Sequence, residues 1–257
     1  MKKLSKILSV IEKFLKKSKS KDWMTEDNSE YLAIVDNYSK QIGELWKNTG
    51  EKLAKKIKQK GLELDEEALA YEGQELLQTE YVNEALKILG FAFGEAVVLG
   101  YNEIISRGIT VDIPDNPFNL FSEAGEIHNY AHSALSYEQQ QMNEIYNSLN
   151  NSENAKQKIR DWFAANQYRV EDLMISGLVW YGINYGFARA TLQTQGNEGL
   201  LIYWLTETDK NVCKDCLDLE AGNPYGPDNP LKTLPGGGKT VCGSSCRCLI
   251  DTNTREQ

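Results

Sequence analysis

The sequence predicts a mainly α-helical protein, in which an elongated or bundled helical body is followed by a small subdomain of β-ribbon and loop. Through most of the chain, apolar residues recur at three- and four-residue steps, the spacing of amphipathic helices. The pattern changes at residues 199–206, which are rich in β-formers, and all five cysteines follow between residues 213 and 248. We therefore divide the chain into an N-terminal arm (1–22), a helical body (28–198) and a cysteine-rich subdomain (199–257).

The composition is that of a globular protein. Of the 257 residues, 41% are hydrophobic and 25% are charged, which permits a sizeable buried core. The net charge of −9 argues against a generic nucleic-acid-binding protein. This charge is uneven, because residues 1–22 carry eight lysines against Glu12 and Asp22, a net +6, and the remainder carries −15. The asymmetry indicates a basic arm on an acidic body.

The arm has the pattern of a basic amphipathic helix. Its apolar residues fall on one helical face: Leu4, Ile7, Leu8, Ile11, Phe14 and Leu15. It does not resemble a secretory signal peptide, because lysines interrupt any apolar core and no small-residue cleavage site follows. Three interpretations stay open, namely docking on a protein surface, contact with DNA phosphates and contact with an anionic membrane. Docking is the default for such a helix, and membrane contact is not expected.

The body begins with a helix predicted from Asn28 to about Gly61. Its second half contains a basic run: Lys52, Lys55, Lys56, Lys58 and Lys60. A solvated helix face explains this run better than a nucleic-acid site, because no aromatic residues interleave with the lysines to stack on bases.

Two apolar segments contain repeated glycines. They are the second half of a helix or helix pair predicted over about 65–106, with Gly90, Gly94 and Gly100, and residues 173–188, with Gly177, Gly182 and Gly186. A glycine inside a helix costs about 1 kcal/mol relative to alanine, so repeated glycines indicate a packing requirement. We expect the two helices to approach each other closely. Charged residues in the first and the shortness of the second favour core helices over membrane spans.

Between these segments, residues 109–121 are predicted to interrupt the helical pattern, because they contain Pro114 and Pro117. A polar helical stretch is expected over 122–150, and a further helix over 154–193.

The polar stretch contains both histidines of the chain, His128 and His132. Four residues apart, they would share a helix face and, with Glu126, would be able to ligate a metal. Since there is no H-E-x-x-H motif, surface or interhelical histidines are the favoured interpretation.

The cysteine cluster is the strongest signal of a site. Cys213 and Cys216 are separated by two residues, so a tight turn would aim both thiolates at one ion, and Cys242, Cys246 and Cys248 provide the return side. Zinc binds four tetrahedral N or S ligands, which paired cysteines separated by a loop can supply. Disulfides fit less well, because the number of cysteines is odd and nothing upstream indicates secretion. We therefore predict one structural zinc ion.

The cysteines lie between two predicted strands. Residues 199–206 form the first strand, and residues 249–251 are its antiparallel partner. Residues 222–239, with four prolines and five glycines, are expected to be irregular. Since a two-stranded ribbon is marginally stable in water, the metal is expected to staple the strands and to supply folding energy.

Further residues in this region match a known pattern: Trp204, Thr206, Asp209, Val212, Leu219, Gly222, Tyr225, Leu234, Pro235 and the ending Cys246-Arg247-Cys248. With Cys213-x-x-Cys216, they resemble the C-terminal motif of phage head morphogenesis proteins, the minor head proteins similar to protein F of phage Mu. The resemblance covers residues 203–250. In one departure, Cys242 stands where the family usually has histidine, with three residues rather than two before Cys246. Zinc accepts an all-thiolate site, in which the fourth ligand is Cys246, the favoured choice, or Cys248.

The resemblance implies a virion structural or assembly protein, associated with the portal or the inner capsid. It would occur in the virion head, and in the host cytoplasm during assembly. Contact of the basic arm with packaged DNA stays one of the open interpretations of residues 1–22. Some relatives carry an enzymatic domain after the motif, but here only nine residues follow Cys248. The body also lacks a P-loop, a nucleophile elbow and a zincin motif, so we expect no enzymatic activity and no small-molecule substrate.

One alternative is a zinc-ribbon nucleic-acid-binding protein that contacts DNA through the arm and the Lys52–Lys60 run. A metalloenzyme that uses His128 and His132 is a second, weaker alternative.

Overall fold

The computed structural model shows a mostly helical chain with one two-stranded sheet among its described residues. The structure describes residues 29–60, 76, 81–123, 136, 140–141, 154–168, 174–194, 200–206, 211–237, 239–243 and 246–252. The helices and strands are α1 (Ser29–Lys60), α2 (Asn83–Ser106), α3 (Asn119–Glu123), α4 (Ala155–Tyr168), α5 (Ile175–Thr194), β1 (Ile202–Leu205), α6 (Lys214–Ala221) and β2 (Leu249–Thr252). The predicted arm, residues 1–22, and most of the predicted polar stretch, 122–150, lie outside the described residues.

The predicted helices are confirmed where the structure describes them. Helix α1 matches the prediction over 28–61, and α2 ends at Ser106. The region predicted as helical over 154–193 contains α4 and α5, and residues 169–173 between them lie outside the described residues. The predicted interruption after α2 is confirmed, since residues 109–118 are not helical.

Helices α1 and α4 pack together through aromatic side chains. Trp46 is 1% exposed, and its Nε1 donates a hydrogen bond to the Phe163 carbonyl at 2.8 Å. A Cβ on Gly50 would lie 2.6 Å from the Phe163 ring, so the glycine admits this ring. Towards solvent, Arg160 donates to both carboxylate oxygens of Glu51 at 2.8 and 2.7 Å. This bidentate pair helps to fix the register of the two helices.

Helices α2 and α5 lie at the centre of the core and touch through their backbones. A Cβ on Gly100 would lie 2.2 Å from the Ile183 carbonyl oxygen, and one on Gly186 would lie 2.1 Å from the Val97 carbonyl oxygen. Only hydrogen fits at either position, since protein interiors are close-packed. Gly182 also packs against α2. The predicted close approach of two glycine-bearing helices is therefore confirmed at these three positions.

The other two glycines of α2 face the segment that follows this helix, and of the two only Gly94 lacks room for a Cβ. A Cβ on Gly94 would lie 2.6 Å from the Phe118 ring, and one on Gly90 would lie 3.6 Å from the Phe121 ring. The expectation that these two glycines admit the partner helix is therefore wrong. The sequence pattern does not show that residues 107–123 fold back across α2.

Helix α2 is long and apolar enough to cross a membrane, by length and composition. However, 56% of its most apolar 18-residue window is buried inside the protein, and helices α1, α3 and α5 pack against it. This surrounding protein is the environment of a core helix, which is the interpretation favoured by the sequence.

Both predicted strands form, and β1 pairs with β2 in antiparallel orientation, with Trp204 opposite Ile250. The other edge of β1 is also hydrogen-bonded. Ile202 and Tyr225 exchange two backbone hydrogen bonds of 2.8 Å. The Asn223 side chain accepts from the Trp204 N–H at 2.7 Å and donates to the Trp204 carbonyl at 2.8 Å. Asn223 thus satisfies backbone groups of β1 as a third strand would.

The ribbon is held by the helical body as well as by its own hydrogen bonds. Asn184 of α5 accepts a hydrogen bond from the Ile250 N–H at 3.0 Å. Trp180, also on α5, donates from Nε1 to the Cys248 carbonyl at 2.8 Å. The buried apolar residues of the ribbon and of the helices belong to one hydrophobic cluster. The expectation that a metal staples the two strands did not include this support from α5.

Arg107, just after α2, joins the helical body to β2. Its Nε and Nη2 donate to Oε1 of Glu103 at 3.1 and 2.8 Å, and its Nη1 pairs with Asp251. The guanidinium also lies 5.1 Å from the centroid of the Phe187 ring. The three charged side chains are only 15–24% exposed. Their interaction is therefore less screened by solvent than that of an exposed ion pair.

Candidate metal centre

The first two cysteines lie at the start of helix α6. Cys213 is the N-cap residue, with extended backbone angles of φ −72° and ψ 157°, and Cys216 lies in the first helical turn. The Leu217 N–H donates to the Cys213 carbonyl at 3.2 Å, which begins the helix. The expected tight turn between these cysteines is therefore wrong in form. A helix start nevertheless directs residues three apart to one side, so the two sulfur atoms still converge.

The return side is built on a turn around Gly243. The Gly243 N–H donates to the Thr240 carbonyl at 2.8 Å. Its φ of +56° lies in the left-handed region that favours glycine. Asp215 of α6 accepts a hydrogen bond from the Val241 N–H at 2.8 Å. This carboxylate holds the turn, and with it Cys242, against the start of α6.

Three distances connect the sulfur atoms of four cysteines. They are 3.6 Å from Cys213 to Cys242, 3.5 Å from Cys216 to Cys242, and 3.7 Å from Cys216 to Cys246. A disulfide has an S–S length of about 2.05 Å, so these cysteines are thiols, and all five are free. Zn–S bonds of about 2.3 Å in a tetrahedron place sulfur atoms about 3.8 Å apart. The three observed distances match three of the six sulfur–sulfur distances that such a tetrahedron requires.

The five sulfur atoms form two overlapping groups, in each of which all atoms lie within 4.8 Å of one another. One group contains Cys213, Cys216 and Cys242, and the other contains Cys216, Cys246 and Cys248. The second group is buried, whereas Cys213 and Cys242 are partly exposed. The fold thus brings all five predicted site residues together, in an arrangement that can hold a metal ion.

Hydrogen bonding and burial give the thiols different proton affinities. The hydrogen bond from Cys248 lowers the pKa of Cys246 to about 5, and the same contact raises the pKa of Cys248. Burial raises the pKa of Cys216, and it raises that of Cys242 to about 11. In the metal-free form, protons are therefore held more tightly by Cys216, Cys242 and Cys248 than by Cys246. A metal ion that binds here has to displace protons.

The other residues suggested by the sequence lie apart from this cluster or outside the described residues. His128, His132 and Glu126 belong to the part of the chain that the structure does not describe. Lys52 and Lys55 lie on the exposed surface of α1.

Sequence reasoning missed residues that position the cluster. Glu220 of α6 accepts hydrogen bonds from the N–H and the hydroxyl of Thr206, at 3.0 and 2.7 Å. The position of Asp215 was a usable indication of a helix start in the sequence, because acidic residues are favoured in the first turn of a helix. Trp180 had none, since its partner Cys248 is 68 residues away in sequence.

No protein-family model matches the chain, and no curated protein or solved structure matches it either. The function is therefore argued from the geometry of the cysteine cluster and from the motif residues around it.

Proposed function

We propose that this protein is a phage minor head protein that acts in head morphogenesis, in association with the portal or the inner capsid. The observation that carries the proposal is the setting of the cysteine cluster. Trp204 is fully buried in β1, Thr206 donates a hydrogen bond to Glu220, and Tyr225 pairs with the edge of β1 opposite β2. Each of these residues belongs to the motif that resembles the minor head family. Their shared structural role around the cysteines supports the interpretation as one motif.

Within this proposal, the cluster binds one structural zinc ion. The ligands are the four cysteines connected by sulfur distances of 3.5–3.7 Å: Cys213, Cys216, Cys242 and Cys246. Cys248 is the fifth thiol and lies buried beside Cys246, with the two sulfur atoms within 4.8 Å of each other. Four thiolates are the soft, tetrahedral ligand set that zinc prefers in structural sites.

The zinc would stabilise the fold and would not catalyse a reaction. Four protein ligands leave no coordination position for water or substrate. The strands β1 and β2 are each only four residues long. By joining α6 to the turn around Gly243, the ion would close the loop between them and help to hold this short ribbon together. We therefore propose a non-enzymatic role without a small-molecule substrate.

The partners are portal or capsid proteins of the virion, and the protein would be found in the head and, during assembly, in the host cytoplasm. The basic arm, residues 1–22, is a further point of contact with packaged DNA in this proposal. Support for these partners comes from the motif resemblance, and contact with a membrane is not part of the proposal.

Fractionation of an infected lysate tests the virion role. The protein should cosediment with heads or with portal complexes, as detected by mass spectrometry of gradient fractions. Nuclease treatment before sedimentation serves as the control, because it removes association that occurs only through DNA. Absence of the protein from both heads and portal complexes would refute the proposal.

Metal analysis of the purified protein tests the zinc site independently. Wild type should contain one zinc per chain, and Cys248→Ser should retain it. Cys246→Ser should lose zinc, because it removes a proposed ligand at a similarly buried position. If the two variants lost zinc equally, the proposed ligand set would be wrong.

A further inference from the structure

Helices α1 and α4 bring together two basic segments that are far apart in sequence. Residues 45–60 contain six lysines and one acidic residue, and residues 154–168 contain two lysines and one arginine against one aspartate. In a chain with a net charge of −9, this is a marked local excess of positive charge. The sequence pattern of α1 by itself favours a solvated face, whereas the fold places a second basic segment beside it.

Contacts between the helices make the two segments one surface. Glu51 of α1 and Arg160 of α4 form the bidentate pair described above. The hydrogen bond from Arg160 lowers the pKa of Glu51, and the charges of Arg160, Lys156 and Lys55 lower it further. Lys55 follows Glu51 by one turn of α1, and Lys156 precedes Arg160 by one turn of α4, so both lysines lie beside this ion pair. Lys55 is exposed and Lys156 partly exposed, so both can be reached from solvent.

The acidic residues in these segments leave the positive excess in place. The two segments together hold nine basic residues, and Glu51 and Asp161 are their only acidic ones, so a net positive charge remains even though Arg160 pairs with Glu51. The first turn of α4 contains no acidic residue, and Lys156 and Lys158 lie in its first turns. Cations near the start of a helix are disfavoured by the helix dipole. A bound polyanion would relieve this repulsion as well as that between the lysines.

We propose that this basic surface, formed by Lys52 and Lys55 of α1 and Lys156 and Lys158 of α4, binds the phosphate backbone of duplex DNA without reading its sequence. Lysine side chains that neutralise phosphates release condensed counterions, and this release drives binding that is independent of sequence.

The aromatic residues of the two helices support a duplex over a single strand. Trp46 and Phe163 are buried between α1 and α4, and the partly exposed Trp162 packs against both rings, so these aromatic side chains are engaged with one another. Binding of single strands depends on the stacking of bases on aromatic side chains, whereas contact with a duplex backbone does not. The surface does not depend on the proposed role in the phage head, because it requires neither the motif nor the metal.

The experiment compares DNA affinity across salt concentrations, with the full chain and a short fluorescent duplex. In wild type, the logarithm of the association constant should fall linearly with the logarithm of salt concentration. Lys55→Gln/Lys156→Gln should reduce the magnitude of this slope by about 1.8, since each phosphate contact contributes about 0.9. If affinities converge near 1 M salt, the same coefficient gives roughly 60-fold weaker binding at about 0.1 M.

The matched control is Lys40→Gln/Lys87→Gln, which removes the same charge from exposed positions of α1 and α2. Lys40 and Lys87 are each paired with an acidic residue of their own helix. The control should keep the wild-type slope. All four substituted lysines are at least partly exposed, so both variants should keep the wild-type circular dichroism spectrum and melting temperature.

The basic arm is present in both variants, so the difference between them isolates the α1–α4 surface. Equal slopes for the two variants would overturn the proposal, as would the absence of DNA binding by wild type at about 50 mM salt. A parallel measurement uses vesicles of phosphatidylserine and phosphatidylcholine. If the Lys55/Lys156 variant lost vesicle binding but kept DNA binding, the surface would bind lipid headgroups and the proposal would be wrong. Failure of the cosedimentation test above leaves this inference standing, because the DNA measurement uses purified protein.

Discussion

Replacement of Gly186 by alanine should force helices α2 and α5 apart. The added Cβ would lie 2.1 Å from the carbonyl oxygen of Val97, and 2.8 and 2.9 Å from its carbonyl carbon and Cα. Ordinary contacts of a Cβ begin at 3.4 Å. Because the obstructing atoms belong to the backbone, no side-chain rotation can relieve the clash. The two helices have to separate by more than about 1 Å where they cross.

Two opposing effects determine the magnitude. Alanine is favoured over glycine inside a helix by about 1 kcal/mol. Overpacking of a core costs about 1–3 kcal/mol when neighbouring side chains can adjust, and a gap of about 1 Å along the interface forfeits a quarter to a half of the dispersion energy there. We expect Gly186→Ala to lower the free energy of unfolding by about 3 kcal/mol, which for a protein of this size lowers the melting temperature by roughly 6–12 °C.

Urea denaturation followed by far-ultraviolet circular dichroism measures this loss, and the chain offers a matched control. Gly90 is also a buried glycine of this helix pair, but a Cβ there would meet only the Phe121 ring, at 3.6 Å. Gly90→Ala should leave stability unchanged or raise it by up to about 1 kcal/mol. The reasoning is refuted if Gly186→Ala is as stable as wild type, or if both substitutions cost the same.

Three further predictions concern the C-terminal subdomain. Arg107→Met should lower the free energy of unfolding by about 2 kcal/mol in urea denaturation, because it leaves the partly buried Asp251 without its cation. The same change at the exposed Lys87 should cost less than about 0.5 kcal/mol. Equal losses would contradict this. Asn223→Ala should cost about 2 kcal/mol in the same assay, since it removes both hydrogen bonds to the edge of β1, and an unchanged denaturation midpoint would count against it. Metal affinity, measured by competition with a chromophoric chelator, should fall as the pH is lowered, because the pKa of Cys242 is raised to about 11 and protons compete with the ion for this thiol. An affinity independent of pH would contradict the involvement of protonated thiols.

The helices were predictable from spacing because each buries one continuous face. The pattern over 28–61 predicted α1 throughout its described residues, and the prolines before α3 marked the interruption after α2. What each face contacts was only partly predictable. Gly100 and Gly186 meet across the α2–α5 interface, whereas Gly90 and Gly94 meet the segment after α2. The four glycines are chemically identical in the sequence, and only the path of the chain distinguishes them.

The sequence predicted which cysteines lie together, but not which structural elements position them. The spacing of Cys213 and Cys216 indicates convergence whether they lie in a turn or at a helix start, because both place residues three apart on one side. The helix start itself was missed. The contact between Trp180 and the Cys248 carbonyl was out of reach as well, because a single tryptophan on an apolar helix gives no sign of a distant hydrogen-bond partner.

The backbone contact between α2 and α5 has a consequence for the rate of folding. Ser106, at the end of α2, and Ile175, at the start of α5, are separated by about 70 residues of chain, and closing a loop of this length costs about 4 kcal/mol of entropy before the interface is formed. Local helices can form quickly, but the central interface has to wait for this long-range encounter. The protein should therefore fold more slowly than helical bundles of sequential neighbours, at a rate closer to that of mixed α/β domains.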